Sequence, residues 1–94
     1  MDQKSEDFYK RLKEELINST VWPSEYLFKF ILPASPENVT FIKNSFANKN
    51  AQIVESTSKT GKFSSLSVKL RMESAQSVID KYKELSVIEG IVSL

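Results

Sequence analysis

The chain has 94 residues, thirteen Lys and Arg against twelve Asp and Glu, and neither Cys nor His. A chain of this length is expected to form one domain, spanning 1–94, that buries only roughly 60 to 65% of the surface its unfolded form exposes. Without Cys there are no disulfides and no thiolate metal sites, which suits a reducing compartment, and a net charge of +1 excludes binding to nucleic acid or membranes by bulk electrostatics. The charged start, Met1 to Lys13, is unlike a signal peptide, and no stretch approaches the ~20 apolar residues of a membrane span, so the expected location is cytoplasmic.

From Ser5 to Asn18, Phe8, Leu12 and Leu16 recur at every fourth position with Tyr9 and Ile17 beside them, the spacing of an amphipathic helix within residues 1–20. Trp22-Pro23 ends it, because Pro lacks an amide hydrogen and biases the preceding residue away from helical geometry. Residues 24–94 then read as a compact unit. Glu25 to Pro33 alternates Tyr26, Phe28, Phe30 and Leu32 with Leu27, Lys29 and Ile31, which predicts a central strand. Ser35 as N-cap and Pro36 at the first helical position start a helix running to about Asn48, with Val39, Ile42 and Phe46 on its apolar side.

Ala51 to Lys59 and Lys62 to Met72 predict a hairpin turning at Gly61. In its second strand Leu66, Val68, Leu70 and Met72 point to the core, and Phe63, Ser65, Ser67, Lys69 and Arg71 point away. Ser74 caps a helix with a Val78, Ile79, Tyr82, Leu85 stripe, and Val87 to Leu94 predicts a last strand with a bulge at Gly90. This order is an α+β, ferredoxin-like βαββαβ sandwich with an extra N-terminal helix. The Tyr26 and Lys62 strands are expected in the middle of a four-stranded antiparallel sheet, with both crossover helices on one face.

No catalytic constellation emerges. Lacking His and Cys, the chain has neither the common general base nor a thiolate nucleophile, and Ser67 with Lys69 on a solvated strand face makes no base and nucleophile pair. The carboxylates Glu14, Glu15, Asp80 and Glu84 belong to solvated helix faces, so no metal site and no cofactor are expected. Thr60-Gly61-Lys62 lacks the first glycine of a phosphate loop and joins two strands. Gly61-Lys62-Phe63 echoes an RNA-recognition motif, but Ser65 and Ser67 replace the aromatics that would stack bases, which argues against nucleic acid and leaves weak single-stranded RNA binding on the open sheet face as a minor alternative, ahead only of an enzyme.

The segments Trp22-Pro23-Ser24-Glu25-Tyr26, Phe28-Lys29-Phe30, Gly61-Lys62-Phe63-Ser64-Ser65 and Ile88 to Leu94 resemble the small bacterial YbeD-like family of uncharacterised domains. That resemblance implies a fold similar to the ACT regulatory domains, which bind amino acids at dimer interfaces, and it implies no established activity. The equivalent ligand-binding turn here, Pro33-Ala34-Ser35-Pro36, has no glycine. Ser35, Glu37 and Asn38, at the N-terminus of the helix that follows, form a candidate site for an amino acid or other carboxylate.

The sheet face away from the crossover helices is expected to carry Leu27, Lys29, Ile31, Phe63, Lys69, Arg71, Val87 and Ile91, too apolar a set to be left in solvent. Two coverings compete: the N-terminal helix, laid down through Phe8, Leu12 and Leu16 with Glu14 or Glu15 against a sheet cation, and a partner protein or second copy. The regular stripe favours the helix. The last strand offers a further edge for a homodimer. The expected function is a non-catalytic interaction or regulatory module, with small-molecule sensing second.

Overall fold

A computed structural model describes residues 3–47 and 49–93. The elements run α1 (Gln3–Ser19), β1 (Ser24–Pro33), α2 (Pro36–Ser45), β2 (Gln52–Thr57), β3 (Phe63–Met72), α3 (Ala75–Leu85) and β4 (Val92–Ser93). Three helices thus accompany one four-stranded sheet of order β2-β3-β1-β4, in which every neighbouring pair is antiparallel. Strands β1 and β3 occupy the middle, paired over ten residues from Ser24↔Met72 to Pro33↔Phe63.

The core forms where the alternation of β1 and β3 directs it. Phe28, Phe30 and Leu32 from β1 and Leu66, Val68 and Leu70 from β3 meet Val39, Ile42 and Phe46 from the α2 segment and Val78, Ile79, Tyr82 and Leu85 from α3 in one buried cluster. Phe28 is its aromatic centre, with ring centroids 4.8 Å from Tyr26, 5.2 Å from Tyr82, 5.4 Å from Phe46 and 5.8 Å from Phe30. Most of these contacts are edge-on or tilted, the arrangement that ring quadrupoles favour.

Both crossover helices start on serine caps. Ser35 Oγ accepts from the Asn38 amide at 3.5 Å, and Ser74 and Ser77 form a reciprocal capping box with both bonds at 3.1 Å. Lys81, buried in α3, donates to the Ser45 carbonyl at 2.8 Å and to Glu84 at 3.2 Å, and its ammonium lies 4.8 Å from the centre of the Phe46 ring. One cation thereby satisfies the free C-terminal end of α2 and ties it to α3.

Several element boundaries differ from those read in the sequence, among them both ends of β2, which runs Gln52–Thr57 instead of Ala51 to Lys59. The last strand begins at Val92, because Val87 to Gly90 turn the chain: the Ile88 amide donates to the Leu85 carbonyl at 3.1 Å and the Ile91 amide to the Ile88 carbonyl at 3.4 Å. Gly90 is the left-handed residue of that turn, φ 81°, where a Cβ would stand 3.0 Å from Pro33 Cγ, so it is a turn glycine and not a strand bulge. Helix α2 ends at Ser45; its expected end at Asn48 and the strand end at Leu94 lie outside the described residues.

The larger correction concerns α1, which packs against α3 and not across the open sheet face. Leu16 is buried, Tyr9 and Leu12 are half-buried, and the Lys83 ammonium lies 5.5 Å from the Tyr9 ring centre. Phe8 stays 53% exposed, so the buried stripe is Tyr9, Leu12, Leu16 instead of Phe8, Leu12, Leu16. The connection explains the docking: only Thr20 to Pro23 separate α1 from β1, and the Trp22 indole N–H donates back to the Leu16 carbonyl at 3.1 Å. Covering the sheet would also have stripped water from Lys29, Lys69 and Arg71, a cost that docking on α3 avoids.

Two measurements check this architecture. Phe28→Ala should cost about 3 to 5 kcal/mol in urea unfolding, whereas Leu27→Ala, its neighbour on the opposite face, should cost under about 1 kcal/mol; equal costs would contradict the assignment of faces. The second uses Tyr82, whose hydroxyl lies 2.9 Å from that of Tyr26. Burial, then the hydrogen bond to Tyr26, pushes the Tyr82 phenol pKa far up. A folded pKa above the unfolded one leaves stability unaffected below about pH 10 and erodes it above. Tyr82→Phe should lose about 1 kcal/mol at neutral pH and show a shallower alkaline decline.

Candidate functional site: the open sheet face

Strand register fixes which side chains share the face away from the core. Across β1, β3 and β2 the rows are Leu27, Lys69, Gln52; then Lys29, Ser67, Val54; then Ile31, Ser65, Ser56, with Val92 beside Ile31. Glu25 opposes Arg71 at one end and Pro33 opposes Phe63 at the other. Leu27 is 46% exposed, Phe63 48%, Val54 67% and Val92 52%, while Ile31 is half-buried. Among the described residues, apolar side chains are therefore interspersed with three cations, Lys29, Lys69 and Arg71, and one carboxylate, Glu25.

Six of the eight residues expected on this face are there: Leu27, Lys29, Ile31, Phe63, Lys69 and Arg71. Val87 and Ile91 are not. Val87 is exposed in the turn after α3, and Ile91 is half-buried against the core. The late start of β4 shifts its register by one residue, so that Val92 takes the outward position beside Ile31. The sequence reading also missed Val54, since Ile53 and Val54 are adjacent and apolar and only the pairing of Ile53 with Val68 turns Ile53 inward.

Lys69 Nζ lies 3.5 Å from Glu25 Oε1, an exposed pair, so Lys69 is held by a carboxylate and is not poised against Ser67. Lys29 and Arg71 make no ion pair with a described residue. The face presents an apolar, cationic surface. Among the described residues, no group of three or more His, Cys, Asp or Glu could hold a metal, and no helix is long and apolar enough to cross a membrane.

The second predicted site falls apart into separate places. Ser35 borders a groove of about 320 Å³ between the start of α2 and the β2–β3 hairpin, with Thr40, Lys43, Glu55, Thr57 and Ser64. Glu37 instead borders a shallow depression with Phe41 and Asn44 on the outer side of α2. Asn38 donates its amide to the Ser35 cap and borders neither. Ser64, Thr57 and Glu55 come to Ser35 through the sheet pairing, which local sequence does not display.

A family profile described as "Protein of unknown function (DUF493)" matches residues 18–94, a span that holds the whole sheet, α2 and α3. No curated protein and no solved structure matches the chain. On the extent of that profile match, the chain belongs to the DUF493 family.

Proposed function

We propose that this chain is a non-catalytic interaction module of ferredoxin-like architecture, akin to ACT regulatory domains, that docks an acidic partner protein on its open sheet face. The strand order β2-β3-β1-β4 with the two crossover connections supports the ferredoxin-like reading. The absence of Cys supports a cytoplasmic setting.

One observation carries the proposal: α1 is spent on α3, which leaves Leu27, Phe63, Val54 and Val92 exposed among Lys29, Lys69 and Arg71. Three cations against one carboxylate favour an acidic partner surface bearing apolar side chains, and the same cations repel a second copy presented face to face. Among the described residues Phe63 is the only aromatic on the face, too sparse a platform for stacking successive bases.

The test compares affinity capture by the wild-type chain, by K29E/R71E and by the charge-matched control K10E/R11E, which alters exposed cations of α1 off this face, followed by reconstitution with the purified captured protein. An acidic protein held by wild type and control, lost with K29E/R71E and released by salt, is the expected result. Equal retention by all three would contradict the assignment of the face.

A further inference from the structure

The two edges of the sheet are unequal. Among the described residues β4 offers only Val92 and Ser93, whereas β2 offers Gln52 to Thr57 and has a neighbour, β3, on one side alone. The Ser58 amide donates to the Phe63 carbonyl at 2.9 Å, one step beyond the Thr57↔Ser64 pair, so hydrogen-bonded pairs with β3 recur at every second residue back through Ser56, Val54 and Gln52. The peptide groups of Ile53, Glu55 and Thr57 therefore point away from β3, and no backbone hydrogen bond from a described residue outside the strand pairing reaches them. Natural edges are guarded by Lys, Pro or a bulge that deters pairing. β2 reads Gln-Ile-Val-Glu-Ser-Thr, and its single charge, Glu55, is already matched by Lys43 at 2.8 Å.

The occupant that this edge fits is the same edge of a second copy, antiparallel about a two-fold axis through the sheet. Opposite residues of an antiparallel pair share a sheet face, so the axis passes through a residue and not between two. Centred on Val54, the pairing sets Val54 against its own copy, Ile53 against Glu55 and Gln52 against Ser56. Ile53 and Glu55, whose peptide groups face outward, then exchange both hydrogen bonds on either side of the axis. Val54 becomes a non-hydrogen-bonded pair, the closer kind, and its side chain, 67% exposed in the single chain, gains an apolar partner. A pairing centred on Glu55 would set two carboxylates opposite each other, and one centred on Ser56 would leave Val54 against Ser58. Charge and apolar burial choose the same register. It joins the two open faces through a row running Lys29, Ser67, Val54 and onward through the second copy's Val54, Ser67 and Lys29.

We infer that the chain forms a two-fold homodimer by pairing β2 with β2 of a second copy in the register centred on Val54, giving one continuous sheet. The pairing does not depend on what the open face binds. Sedimentation velocity of the full chain should show a reversible monomer–dimer equilibrium with a Kd of about 100 μM or tighter, and V54K, which sets two ammonium groups against each other at an exposed site, should weaken it by about tenfold or more. The register has its own readout, because the chain has no Cys. V54C brings the introduced thiols together at a Cα separation of about 4.5 Å and should give a covalent dimer under mild oxidation, whereas S56C keeps them about 14 Å apart and should not. A wild-type chain that stays monomeric to millimolar concentration, a V54K dimer as tight as wild type, or oxidation that links V54C no faster than S56C would each overturn the inference.

Discussion

Successive side chains of a strand point to opposite faces, and in β1 this rule divides the molecule. Phe28, Phe30 and Leu32 are fully buried, while Leu27, Lys29 and Ile31 look the other way. Because β1 is a central strand hydrogen-bonded to β3 along its whole length, slipping it by one residue would expose three large apolar side chains and bury a lysine. The aromatic cluster around Phe28 draws Phe46 from the α2 segment and Tyr82 from α3 to the inner face, so helix placement follows from strand register. The composition of the outer face follows from it as well.

Whether that outer face is available depends on α1. A helix with an apolar stripe needs a partner surface, and both α3 and the open sheet offer one. The short Thr20 to Pro23 connection, the Trp22 bond to the Leu16 carbonyl and the Lys83 contact with Tyr9 favour α3. Desolvation adds to this preference, because α3 asks for little loss of water from charges, whereas the sheet face carries three. The same charges that deter α1 select an acidic partner, so the route α1 takes and the chemistry of the exposed face have one cause.

Much of this was legible in the sequence because it rests on local periodicity. The alternation in residues 25–33 and 63–72, the serine caps at Ser35 and Ser74 and the glycine turn at Gly61 mark the two central strands, both crossover helices and the hairpin. What could not be read depends on contacts between distant segments. The face of Val54 is decided by its pairing with β3, and that of Val92 by the turn ending at Gly90. Lys81 looks in sequence like any solvated lysine, yet the end of α2 arrives to bury it. The α1 stripe showed that the helix needs a partner without showing which.

The docking of α1 is the claim on which the open face stands, and through-space proton contacts in the full chain test it directly. Nuclear Overhauser cross-peaks from the Tyr9 ring and Leu12 methyls are expected to reach Ile79 and Lys83 of α3, which border the same crevice as Tyr9. Cross-peaks from those side chains to Leu27, Ile31 or Phe63 would place the helix over the sheet and contradict the account.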